Sequence, residues 1–229
     1  MLIFGCVTTD DIKDNSIVLN NDIWKKECIG NTFNVQSDTL VITLSKRQAG
    51  NRRCEFTNDS IDLFKNNLDV QFIFTPKIVD DSDSQWHSIF QIHSFPDLIL
   101  NERWRCPILS IEVHQGKLRI FNRWDIEKLS ILNDGTCASS GNTISSRLIL
   151  DQYEIKENKK YKVEIDGKLS FREDGILMIR INDVLERVIE GPNAFNDNRG
   201  PYFKFGIYKP SSWESVAKYR YIYESVKVK

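Results

Sequence analysis

Two short stretches carry the groups best suited to chemistry: Ser88-Ile89-Phe90-Gln91-Ile92-His93 and Tyr202-Phe203-Lys204-Phe205-Gly206-Ile207-Tyr208. Successive side chains of a β-strand point to opposite faces. Alternation therefore places Gln91 and His93 on one face, with His87 at the same parity toward a groove rim and Trp86, Phe90 and Ile92 behind them. In the second stretch Tyr202, Lys204 and Tyr208 share a face around Gly206, and Phe203, Phe205 and Ile207 back it. Imidazole, amide, ammonium and phenol groups can move protons and hold an anion. Such a face over an apolar backing predicts a binding or catalytic groove.

The elements that must position these groups are short strands. Apolar runs at residues 40–44, 70–75, 161–165, 176–181 and 217–228 are separated by turn-forming residues, and Pro76 is expected to stop the second of them. Residues 108–113 and 118–121 read as a hairpin joined through 114–117, and Asn182-Asp183 reads as another turn. Residues 125–146 read as a long loop. No segment sustains an apolar helical stripe over eleven residues, and residues 184–189 would make at most a turn or two. The pattern predicts an all-β chain, a β-sandwich of jelly-roll type with a concave cleft, formed by residues 1–229 as one domain.

Composition narrows the function. The chain of 229 residues carries 31 basic and 32 acidic side chains, a formal charge of -1. No global attraction to nucleic acid or an anionic membrane follows from such a balance. No run approaches the roughly 18 apolar residues of a membrane helix. The opening Met-Leu-Ile-Phe-Gly-Cys run lacks a basic leader and reads as a trimmed lipoprotein signal or an edge strand. The five cysteines (Cys6, Cys28, Cys54, Cys106 and Cys137) are odd in number, and none has metal-site spacing. Cys54 reads as a small core hydrophobe, and Cys106 with Cys137 as a candidate disulfide flanking the long loop. Asp80, Asp81 and Asp83 could hold a calcium ion but lack EF-hand spacing, so no catalytic metal is expected.

Three segments in chain order resemble the jelly-roll polysaccharide lyases, a group that includes alginate, glucuronan and heparin-lyase-like proteins. They are Arg53-Cys54-Glu55, Gln91-Ile92-His93 and the Tyr202–Tyr208 heptapeptide. The lead-in Gly191-Pro192-Asn193 with Asn196-Asp197 and Gly200-Pro201 is similar to the wider group, and the likeness spans roughly residues 50–210. Two positions depart from the alginate-lyase pattern. Thr57 stands where a second arginine is usual, and Pro210 stands where glutamine follows the tyrosine.

The resemblance implies β-elimination at a uronic acid, in which the C5 proton is removed and the C4 oxygen expelled. That chemistry needs donors on the carboxylate as it becomes enolate-like, a base near C5 and an acid near O4. It implies that Arg53 and Gln91 hold the carboxylate, that His93 accepts the proton, and that Tyr208 serves the leaving oxygen, or acts as both base and acid. Lys204 would lower the tyrosine pKa, and Glu55 would orient Arg53. Tyr202, His87, Arg103, Trp104 and Arg105 complete the expected substrate-binding set, with the indole stacking on a sugar ring. The expected partner is an anionic polysaccharide, met outside the cell by a monomer without an organic cofactor. A hydrolase would need paired carboxylates, and Glu55 is the one expected on the groove face. The alternatives are a non-catalytic carbohydrate-binding sandwich and a structural surface or virion protein on the same fold.

Overall fold

Alternating apolar residues become strands whose inner faces merge into one core. The computed structural model describes residues 15–28, 32–36, 38–45, 53–60, 64, 67–79, 85–133, 140–209 and 218–228. The opening run, Cys6, Cys137, Pro210 and the calcium candidates Asp80, Asp81 and Asp83 lie outside these residues. In chain order the strands begin with β1 (Ser16–Leu19), β2 (Asp22–Cys28), β3 (Phe33–Gln36), β4 (Thr39–Ser45), β5 (Arg53–Asn58), β6 (Leu68–Ile78) and β7 (His87–His93). They continue with β8 (Leu109–His114), β9 (Lys117–Trp124), β10 (Ser145–Glu154), β11 (Tyr161–Lys168), β12 (Ile176–Ile181), β13 (Val184–Glu190), β14 (Tyr202–Tyr208) and β15 (Lys218–Val228).

The strands form two antiparallel sheets in an all-β sandwich of jelly-roll type. One has the order β1-β2-β5-β14-β7-β8-β9-β10 and the other β13-β12-β11-β6-β15-β4-β3. The hairpins at Gln115-Gly116 and Asn182-Asp183 place both central residues at positive φ, the geometry that matches strand twist. Two expectations fail. Residues 184–189 pair with β12 as strand β13, not as a helical turn. Pro76 does not end β6; it sits beside Tyr221 at a register shift, where its missing N–H costs no regular ladder bond.

Aromatic rings join the sheets. Phe72 of β6 stacks on Phe90 of β7 at 4.8 Å, and Tyr223 of β15 meets Phe205 of β14 edge-on at 5.1 Å. Beneath the future site β7 and β14 lose regular register. Phe205 faces Phe90, and the next pair is Tyr208 with Ser88, so β14 carries one extra residue. Against β8, β7 carries the extra residue, between Ser88 and Phe90. Such bulges leave ladder carbonyls without partners. The buried Tyr223 hydroxyl reaches two of them, Gly206 O at 2.9 Å and Ile89 O at 3.2 Å.

Cysteines pin the neighbouring edge. Cys28 and Cys54 form a disulfide across the β2–β5 register, so Cys54 is buried as expected but is not a free thiol. Closing a loop of 26 residues contributes about 3.5 kcal/mol in the chain-entropy account. Cys106 is also disulfide-bonded.

Candidate active site

The central strands β5, β14 and β7 lie side by side, and their outward residues meet in one recess of about 200 Å³. The register sets Arg53 opposite Tyr208, Glu55 opposite Gly206 and Thr57 opposite Lys204. On the other side of β14 it sets Lys204 opposite Gln91 and Tyr202 opposite His93. Arg53, Glu55, Gln91, His93, Lys204 and Tyr208 all line the recess.

Gly206 makes this convergence possible. Its φ is +133°, and an added Cβ would lie 2.2 Å from the Cys54 carbonyl oxygen, so only glycine fits. With no side chain there, Glu55 and Gln91 meet across β14, and Gln91 Nε2 donates to Glu55 Oε1 at 2.9 Å. Burial pushes the Glu55 carboxyl up, against the pull of Lys204 and Arg53.

Glu27 of β2 organises the cations on this side. Its carboxylate accepts from Lys204 Nζ at 2.7 Å, Thr57 Oγ1 at 2.9 Å and Arg53 Nη1 at 3.1 Å. Burial works against its charge, but these three partners outweigh it and hold the carboxyl below its ordinary value. Arg53 Nη1 also lies 3.8 Å from Glu55, bridging two carboxylates that face each other in the β2–β5 register. The Arg53 guanidinium rests over the Tyr208 ring at 5.1 Å. Lys204, expected beside Tyr208, instead lies over the Tyr202 ring at 5.8 Å.

His93 sits where the recess meets the loop after β7. Its Nδ1 lies 3.1 Å from the Ser94 carbonyl, which can only accept, so Nδ1 carries the proton and Nε2 keeps its lone pair. The ring stacks on Tyr202 at 5.6 Å and meets Trp104 edge-on at 5.8 Å. Burial, with Lys204 and Arg105 adding to it, lowers its pKa to about 4, so the imidazole is neutral near pH 7. Burial and the carboxylates Glu27 and Glu55 push the Tyr202 phenol well up, which keeps it protonated.

Other expected residues fall elsewhere. The β7 bulge flips parity, so His87 points into the core, where Nε2 meets the Tyr221 hydroxyl at 2.6 Å; it is not on the groove rim. For the same reason Trp86, expected on the apolar side, lines the recess, together with Ser88. Arg105 borders the recess, but its charge is spent below the surface on Glu102 at 2.6 Å and on both oxygens of Asp197 at 2.9 and 3.0 Å. Burial raises Asp197 to about 7 even against Arg105. Trp104 is 51% exposed beside His93, and Arg103 is exposed outside the recess.

Sequence reading missed Glu27, Ser110, Glu112 and Arg123. The last three follow from the β8–β9 register, which puts Ser110, Glu112, Arg119, Phe121 and Arg123 on the outer face. Glu112 is thus a second carboxylate in the recess, contrary to the expectation of Glu55 alone. Three strand spacings separate β5 from β8, about 14 Å of backbone. The carboxyl pair of a glycoside hydrolase stands about 5–9.5 Å apart. Glu112 is moreover tied to Arg119 at 2.9 Å and Ser110 at 3.0 Å.

A family model described as polysaccharide lyase matches residues 27–227, and the chain belongs to that family, whose chemistry is β-elimination on uronic-acid polymers. Among solved structures it resembles the endo-β-1,4-glucuronan lyase of the fungus Trichoderma reesei, with a TM-score of 0.65 and 14% identity over 95% of this chain and 91% of that one. It also resembles the family-7 alginate lyase A1-II′, with a TM-score of 0.57 and 14% identity over 88% and 84% of the two chains. A third likeness is to an alginate lyase from Klebsiella pneumoniae, with a TM-score of 0.52 and 8% identity over 86% and 83%. These identities speak to the fold. No curated protein matches the sequence.

Proposed function

We propose that this protein cleaves a uronic-acid polysaccharide endolytically, with His93 and Tyr208 as the proton-transfer pair and Arg53 and Gln91 on the substrate carboxylate. The observation that carries the proposal is the meeting of these four side chains in one recess, with His93 neutral and its Nε2 lone pair free of any bond among the described residues. Gln91 spends one amide N–H on Glu55 and has a second for the substrate. Arg53 spends Nη1 on Glu27 and Glu55 and has Nη2 and Nε for a carboxylate.

The groups act in sequence. Arg53 and Gln91 stabilise charge as it moves onto the carboxylate. His93 takes the C5 proton. The C4–O4 bond breaks as the C4–C5 double bond forms, and Tyr208 donates its proton to the departing oxygen. Water then restores the tyrosine and imidazole, and no electrons leave the substrate. Glu27 and Glu55 position Arg53 and Lys204 and do not react.

The Cys28–Cys54 disulfide supports work in an oxidising, extracellular setting. The test is incubation with alginate, glucuronan, heparan sulfate and hyaluronan while following ultraviolet absorbance. Elimination gives a conjugated C4–C5 double bond and a rise on at least one polymer. New reducing ends without absorbance would point to hydrolysis instead. One observation favours a second reading, a carbohydrate-binding sandwich without turnover. Thr57 replaces a cation and donates to Glu27 within an already closed network. Retention of a polymer on a gel with no product at any pH would support that reading.

A further inference from the structure

Among the described residues, the cations around the recess are paired with carboxylates, with one exception. Arg53 and Lys204 share Glu27, Arg105 has Glu102 and Asp197, and Arg119 has Glu112. Arg123 lines the same recess and is only 9% exposed, yet no carboxylate lies within ion-pair distance of it among the described residues. Its Nη1 has only two long contacts with neutral oxygens, Ser110 Oγ at 3.3 Å and the Pro107 carbonyl at 3.4 Å. Glu112 is the nearest acid by its electrostatic effect, and it is already held by Arg119 and Ser110. Burial accordingly dominates Arg123 and weakens its hold on its proton.

The side chain is nevertheless well placed. Phe121 lies between the Arg119 and Arg123 guanidiniums, with its ring centre 5.4 and 5.1 Å from them, which steadies both. A buried guanidinium without a counter-ion is costly to keep. It is preorganised for an anion that arrives from solvent, since the cost of ordering and drying the site is already met.

We propose that Arg123 forms a second anion subsite that grips a carboxylate or ester sulfate on a sugar unit away from the bond being cleaved. β9 stands four strand spacings from β5, about 19 Å at the backbone, so Arg123 enters the recess from the side opposite Arg53. The polymer then runs across the strands, from β5 over β14 and β7 to β9. This inference rests on the reading of the recess as a polysaccharide cleft.

The test uses the full chain with Arg123→Gln and Arg123→Lys, read on oligouronates of increasing length and by polymer retention in affinity gels. Arg123→Gln should raise KM for long chains about tenfold or more, with kcat changed much less, and should erase the preference for long over short chains. Arg123→Lys should restore part of that preference. The thermal midpoint of Arg123→Gln should hold or rise, because an uncompensated buried charge is removed. An effect on carboxylate-only polymers such as glucuronan assigns a carboxylate; an effect confined to heparan sulfate assigns a sulfate. Unchanged KM and retention would overturn the inference. So would a fall in midpoint with kcat and KM affected equally at every chain length, which marks a structural residue. If the wild type retains polymer but cleaves none, the lyase reading fails while weaker retention by Arg123→Gln still upholds the subsite. A wild type that retains no polyanion overturns the subsite itself.

Discussion

Both sheets turn a charged face outward, but they treat it differently. On the seven-stranded sheet Lys162 pairs with Glu164 and Asp183, and Arg180 with Asp166, with side-chain exposures of 21–76%. On the eight-stranded sheet Lys204 is 8% exposed and Glu55 4%. Exposed pairs are cheap and contribute little. Buried ones are costly unless every partner is in place. Charge alone therefore does not mark a site; burial of that charge around a recess does.

The contrast can be broken most severely by pH. His93 is neutral above about 4, and a base must be unprotonated to act. kcat/KM should fall about tenfold per pH unit below that value. An acid limb near the ordinary histidine value would show that the ring is not desolvated, or that it is not the base. The sign for stability runs the same way. The unfolded histidine binds a proton more readily than the folded one, so its contribution is full above about pH 6.5 and declines as pH falls toward the folded value.

Glu27→Gln should come next. It leaves the buried Lys204 ammonium without its counter-ion and frees Arg53 to swing. Turnover should drop on the order of tenfold through misplacement of Arg53. Stability should fall by roughly 1–2 kcal/mol, less than for a fully buried pair because Glu27 is a third open. Steady-state kinetics and a urea titration check both. The smallest effect belongs to the other sheet. Arg180→Gln should change stability by less than about 0.5 kcal/mol and leave activity intact; a larger loss would erase the distinction between the two faces.

Alternation was a sound guide wherever strands were regular. β14 keeps its parity from Tyr202 to Tyr208 because it pairs with β5 without a shift, so its recess and core residues were legible. β7 reads correctly at Gln91 and His93 and wrongly at His87, since the extra residue that inverts the face depends on pairing with β8 and β14. No local pattern in residues 86–93 announces it. Arg105 was misjudged for a related reason. Its partner Asp197 lies 92 residues away, brought near only by the fold. Glu27 and the Cys28–Cys54 bond depend on β2 lying beside β5, a neighbour relation that spacing does not reveal. Arg123 was within reach, since the Gln115-Gly116 turn fixes the register of the β8–β9 hairpin and hence the face of each residue.

The central claim is that one face of β14 serves chemistry and the other serves packing. It is tested most directly by the rate of unsaturated-uronate formation and the thermal midpoint, compared between Tyr208→Phe and Ile207→Ala. Tyr208 opens on the recess, and Ile207 is fully buried between the sheets. Tyr208→Phe should lower turnover about 10²-fold or more and leave the midpoint nearly unchanged. Ile207→Ala should cost about 2–5 kcal/mol of stability through its cavity, with turnover per folded molecule largely kept. Full activity in Tyr208→Phe would contradict the account.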